Sequence, residues 1–144
     1  MFEWVPLLRP ALYEALSIKI VLSTSWGRAL GHRQALAWLP GWLQSRVVGG
    51  CWHRRYAAED GWLHVWHTFS RYEQVRHYVI RRSVQDWLAL DNDDDGWPDD
   101  ERHRLVKTDD MKGLAEEGKA EELRVRLVAL EAAYQARTGR GPAG

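Results

Sequence analysis

Two apolar runs that end in polar side chains constrain this fold more than anything else in the sequence. Ile18-Lys19-Ile20-Val21-Leu22 leads straight into Ser23-Thr24-Ser25-Trp26, and Trp87-Leu88-Ala89-Leu90 leads into Asp91-Asn92-Asp93. Each reads as a short buried strand that carries polar groups to its C-terminal end. In open α/β sheets ligands bind outside the carboxyl ends of the strands. One strand end offers hydroxyls suited to an oxyanion, and the other offers carboxylates suited to a hard cation. The pair predicts a metal-assisted phosphate site, with Ser23 and Asp91 at the same rim of one sheet.

The segments around these strands alternate in type. A helix is predicted over Pro6 to Leu16, because Leu8, Leu12 and Leu16 recur four apart and Pro6 suits a first turn, although Pro10 opposes a regular interior. Arg33 to Leu39 and Trp42 to Arg46 read as short helices separated by Pro40-Gly41, followed by a short strand at Val47-Val48. Cys51 to Phe69, dense in Trp, His and Arg, reads as a long loop or a partly helical excursion. Ser70 followed three residues later by Glu73 is a capping box, which opens a helix from Arg71 to about Arg82. After the acidic loop, Arg104 to Lys107 reads as a strand. Glu116 to about Arg137 reads as an amphipathic helix with Ala120, Leu123, Leu127, Leu130 and Tyr134 on one face. The expected organisation is one α/β domain over residues 1–137 and a flexible tail over 138–144, with a mostly parallel sheet flanked by helices.

Charge is unevenly placed along a chain whose formal net charge is zero. Arg28 to Asp86 holds nine Arg against four acids, whereas Asp91 to Glu101 holds seven acids and no base. A basic face beside an acidic loop suits a phosphate ligand arriving with a divalent metal, and it also describes two solvated surfaces of opposite sign. A single Cys51 excludes an intramolecular disulfide and fits a reducing compartment. No apolar stretch approaches the ~20 residues of a membrane span, and no signal peptide is evident, so a cytoplasmic protein without membrane association is expected.

Several constellations could carry chemistry. Ser23, Thr24 and Ser25 can surround phosphate oxygens with O–H and nearby backbone N–H groups, although hydroxyls after strands are commonly turn formers. Arg71, at a helix start, can add a charge-assisted contact to a phosphate, or serve as a surface arginine. Asp91, Asn92, Asp93 and Asp95 are candidate ligands for Mg²⁺, which takes one or two protein carboxylates and completes its shell with water and substrate. The same run, Asp91-Asn92-Asp93-Asp94-Asp95-Gly96, invites a Ca²⁺ loop. An EF-hand would need a glutamate where Arg102 stands, and a helix rather than a strand before the loop. An acidic turn without an ion is the plainest alternative. Cys51, His53, His64 and His67 have poor spacing for zinc. Trp52, Trp62 and Trp66 beside Arg54 and Arg55 could stack on bases of a single-stranded nucleic acid, or simply pack.

The order of these motifs resembles the haloacid dehalogenase-like (HAD) superfamily, in particular small bacterial HAD domains related to those of RNA-repair proteins. The run Ile20 to Trp26 is similar to that family's second motif, Arg71-Tyr72-Glu73-Gln74-Val75 to its third, and Trp87 to Asp93 to its fourth. Arg104 to Asp109 with Gly113-Leu114 is similar to the closing strand and turn. The resemblance covers about Phe2 to Leu130. It implies a Rossmannoid sheet, a phosphorylated substrate, and Mg²⁺-dependent phosphohydrolase chemistry. By the same resemblance Ser23 binds the transferring phosphoryl group, Arg71 neutralises it and Asp91 holds Mg²⁺, with Asn92 where the family often has a second Asp.

One departure is large. The family's nucleophile lies in a D-x-D motif on the first strand, and no D-x-D precedes Asp91. Without that carboxylate pair the aspartyl-phosphate route has no nucleophile and no acid/base, so the chain as given is expected to be inactive in it. The resemblance makes the absent strand the central one, leaving strand edges that need a partner. An initiation site further upstream, a decayed relative, and a strand supplied by another chain each account for the gap. A non-enzymatic binding module, holding Ca²⁺ in the acidic loop or nucleic acid on the basic Trp-rich middle, is the alternative from a different class.

Overall fold

The computed structural model describes residues 5–22, 32–37, 39–51, 58–59, 61, 69–109 and 111–139. A 3₁₀ turn at Val5–Leu7 runs into helix α1 (Leu8–Tyr13), followed by strand β1 (Ile20–Leu22), helices α2 (His32–Ala37) and α3 (Gly41–Gln44), and strand β2 (Val47–Gly50). Helix α4 (Arg71–Arg82), strand β3 (Ala89–Asp91), a 3₁₀ helix at Asp99–Arg104, strand β4 (Leu105–Lys107) and helix α5 (Lys119–Thr138) complete the order. The architecture is mixed α/β, and both strand pairs are parallel, as alternating strands and helices predict. The chain divides into two compact units, one of Met1–Ile18 with Val84–Gly144 and the other of Lys19–Ser83.

In the first unit β3 pairs with β4 in the register Ala89↔Leu105, Leu90↔Val106 and Asp91↔Lys107. Thr108 N–H donates to the Asp91 carbonyl at 2.9 Å, carrying the ladder one residue past the strand ends. Parallel neighbours need a long connection, and residues 92–104 supply it. Helix α5 packs against α1 and against β4. The core there is Val5, Leu8, Ala11, Leu12 and Ala15 with Val106, Leu114, Leu123 and Leu127, all buried.

Pro10 does not break α1 because the helix starts at Leu8. Pro10 is therefore the third helical residue, where a backbone N–H would have no intrahelical acceptor. The helix nevertheless stops at Tyr13, short of the expected Leu16, and Leu16 is largely exposed. Helix α5 begins after Gly118 and ends at Gly139, both in the left-handed region, where the lack of a Cβ removes the steric penalty. It starts three residues later than the sequence pattern suggests.

In the second unit β1 pairs with β2 in the register Ile20↔Val47, Val21↔Gly49 and Leu22↔Gly50, with an irregularity between Ile20 and Val21. The pairing is extended by Ile20 N–H to the Arg46 carbonyl and by Cys51 N–H to the Leu22 carbonyl, each 2.8 Å. Leu39, Leu43, Cys51, Val75 and Val79 are buried. A Cβ at Gly49 would meet the Tyr78 hydroxyl oxygen at 3.3 Å, so the strand approaches that ring closely. Helix α4 spans the residues its capping box predicts. Ser70 Oγ accepts Glu73 N–H and Glu73 Oε1 accepts Ser70 N–H, each at 3.2 Å.

Among the described residues no helix is long and apolar enough to cross a membrane.

Candidate functional site

The sequence places its carboxylates after a short apolar strand, and the structure puts Asp91 at the C-terminal end of β3, half-buried. The loop beyond it is ordered by its own side chains. Asp91 Oδ1 accepts the backbone N–H of Asp93 at 3.1 Å, and Asp93 Oδ1 accepts that of Asp95 at 2.8 Å. Two consecutive Asx turns thus aim alternate carboxylates along the loop. Gly96 takes a φ of 75°, the left-handed conformation that lets the chain reverse there. Asn92 and Asp95 are exposed, whereas Asp93 and Asp94 are half-buried.

Beyond Gly96 the chain re-enters the unit through Trp97, which is 5% exposed. Its backbone N–H donates to the Asp94 carbonyl at 3.0 Å and its Nε1 donates to the Glu101 carbonyl at 2.8 Å. Arg102 lies 3.3 Å from Asp94 Oδ2 and 3.4 Å from Asp99 Oδ1. An arginine therefore occupies the position where an EF-hand places its bidentate glutamate, and a strand and a 3₁₀ helix flank the loop in place of two α-helices. Among the described residues no group of three His, Cys, Asp or Glu side chains is gathered as a metal centre would gather them. The donor set remains suited to an ion needing few protein ligands. It is all oxygen, and Asp91 and Asp93 are oriented by backbone amides, which fits a hard cation whose remaining positions go to water and ligand.

On the neighbouring strand, Thr108 is buried directly after β4, and Asp109 follows it. Asp109 Oδ2 accepts the N–H groups of both Lys112 and Met111 at 2.8 Å. Those two amides, helped by the charges of Lys112 and Lys107, hold the Asp109 carboxyl below its ordinary value. Neither the buried Thr108 nor the 3₁₀ helix at Asp99–Arg104 is signalled by any apolar period in the sequence.

Arg71 is the first residue of α4 in the other unit, half-buried and set by the capping box beneath it. The predicted phosphate ligands Ser23, Thr24 and Ser25 lie outside the described residues. So do His53, His64 and His67 and the tryptophans and arginines of the predicted base-stacking surface, Trp52, Trp62, Trp66, Arg54 and Arg55. Cys51 is buried, as a packed thiol would be.

The family model for the HAD domain in Swiss Army Knife RNA repair proteins matches residues 2–118. The chain belongs to that family. Comparison with curated proteins and with solved structures gives no match. Membership in this HAD family covers β1, α4, β3 and β4, the elements that carry Arg71 and Asp91, and it stops just before α5. The resemblance read from the three motifs and the family match agree on the ancestry of the domain.

Proposed function

We propose that this HAD domain descends from Mg²⁺-dependent phosphohydrolases and retains their ligand-holding residues without the nucleophile. The observation that carries this reading is the position of Asp91 at the C-terminal end of a parallel strand inside the region matched by the family. In it Asp91 holds Mg²⁺, with Asn92, Asp93 and Asp95 available around it. Ser23, Thr24 and Ser25 supply hydrogen bonds to a phosphate, and Arg71 balances its charge. When bound, the ion would neutralise negative charge on phosphate oxygens. Catalysis by the aspartyl route needs a carboxylate nucleophile, and no D-x-D precedes Asp91 in this sequence.

The strand that carries D-x-D in the family would add in parallel to the edge of β1 or of β3. Among the described residues β1 pairs only with β2 and β3 only with β4. A lone buried thiol supports a reducing, cytoplasmic setting.

Titration calorimetry with Mg²⁺ on the chain and on Asp91→Asn tests the metal assignment. Binding that Asp91→Asn abolishes supports it, and equal heats in both chains overturn it. Aryl phosphate hydrolysis with Mg²⁺ should be absent from the chain and should appear when an N-terminal strand bearing D-x-D is fused to it. A fusion that folds but stays inactive would count against the ancestry.

The family's link to RNA repair proteins supports a second reading, in which the basic, Trp-rich middle binds RNA. Filter binding of a single-stranded oligonucleotide at two salt concentrations checks it, because charge-driven binding weakens steeply with salt.

A further inference from the structure

We propose that Trp87, Trp97, Glu101 and Arg104 form a clasp that positions the acidic loop, holding Asp91 and Asp93 in place before any cation arrives. The consequence for cation binding rests on the metal reading above; the clasp itself does not.

The loop has a reason to open. Asp91, Asp93, Asp94 and Asp95 lie within one short turn, and like charges so close repel one another. What opposes that repulsion is a closed circuit of contacts tying the residues before β3 to those after the loop. The rings of Trp87 and Trp97 meet with centroids 6.4 Å apart at a tilt of 53°. Trp97 Nε1 reaches the Glu101 carbonyl, and the Glu101 carboxylate lies 2.9 Å from Arg104 Nε. The Arg104 guanidinium sits 4.7 Å above the Trp87 ring. Its Nη1 also donates to the carbonyls of Gln85 and Trp87, each at 3.4 Å. All four residues belong to one unit, and the circuit brackets the whole acidic run.

A tryptophan that only filled space would need neither of its N–H groups engaged. Here both are used, one on the loop at Asp94 and one on the 3₁₀ helix at Glu101. The backbone amides of Asp93 and Asp95 report directly on whether the loop is held, since each donates to a carboxylate two residues earlier. A loop fixed in advance also spends less of a ligand's binding energy on ordering.

The test uses the intact chain and three variants. Trp97→Phe keeps a ring and removes the Nε1 donor, whereas Arg104→Lys keeps the charge and removes the planar group above Trp87. Leu123→Ala destabilises the same unit from buried α5 and serves as the control. Hydrogen exchange followed by NMR should show the Asp93 and Asp95 amides of both clasp variants exchanging about 10-fold faster or more, at conditions where Val106 is unaffected. Mg²⁺ binding by calorimetry should weaken several-fold in the same two variants.

Amides as protected as in the unaltered chain would overturn the clasp. The same loosening in Leu123→Ala, scaled to its loss of global stability, would overturn it too. Loosened amides with no Mg²⁺ binding in any chain would uphold the clasp and remove the metal reading instead. Loosened amides with undiminished Mg²⁺ binding would overturn the claim that the clasp serves the cation.

Discussion

Glu131 on α5 accepts the backbone N–H of Ser17 at 2.7 Å, joining residues 114 apart in sequence. The carboxylate is 5% exposed, and its Oε2 has no hydrogen-bond partner among the described residues. Ser17 lies just past the end of α1, so the bond pins the chain as it leaves the helix that packs on α5. A buried carboxylate is costly unless hydrogen-bonded, so the Ser17 amide is what makes Glu131 tolerable there.

Glu131→Ala leaves the Ser17 amide without this acceptor and should lower stability by about 1.5–3 kcal/mol, the range for a hydrogen bond to a charged group. Glu131→Gln keeps a carbonyl acceptor and removes the charge, so its loss should be clearly smaller. Urea unfolding of the two variants checks the order. Equal losses would mean that the charge, not the acceptor, matters.

Helix α4 carries a second prediction. Its first turn is satisfied reciprocally by Ser70 and Glu73, and Arg71 rides on that turn. Ser70→Ala should cost about 1 kcal/mol, as loss of an N-cap generally does. Because the two side chains cap one turn together, the Ser70→Ala, Glu73→Ala double variant should cost less than the sum of the singles. Additive losses in thermal unfolding would show that the box does not act as a unit.

These two contacts also show what the sequence could and could not reveal. Ser70 and Glu73 act on backbone groups within their own turn, so spacing alone predicts both the helix and its start. Glu131 is the opposite case. It continues the four-residue step of the buried Leu123 and Leu127, yet it reads as a break in the apolar face because its partner amide is supplied by distant chain. Trp97 was likewise hidden inside an acidic run, where charge dominates the pattern and burial cannot be read. Asp91 was legible because a strand end is a local event. The partners of β1 and β3 depend on which strands meet, and no local period encodes that.

Close approach in the second unit makes a third prediction. With the Tyr78 hydroxyl 3.3 Å from where a Gly49 Cβ would stand, Gly49→Ala forces the ring to shift. Overpacking of this kind costs about 1–3 kcal/mol, which outweighs the about 0.4–1 kcal/mol gained from a stiffer unfolded chain. Tyr78→Phe removes the crowding oxygen, and Gly49→Ala in that background should be nearly neutral. A double-mutant cycle measures the coupling, and a coupling of zero would mean that the ring is not what limits residue 49.

The turn after β4 makes a prediction about acid. Asp109 is fully exposed, and its carboxyl is held below the ordinary aspartate value first by the Lys112 amide and then by the Met111 amide, with smaller help from the Lys112 and Lys107 charges. A depressed pKa in the folded state means that the ionised form favours the closed turn. That stabilisation is fully present above the ordinary aspartate value and disappears as pH falls through the lowered one. Protonation removes the charge from both N–H···O bonds, so the turn from Asp109 to its bridging partner Gly113 should loosen in strong acid while β4 persists. NMR titration should show the Met111 and Lys112 amide resonances moving together, with a midpoint below that of an unperturbed aspartate. Asp109→Asn should leave those amides bonded to a neutral acceptor and abolish their acid-dependent movement. Movement that survives in Asp109→Asn would assign the acid response to another carboxyl group.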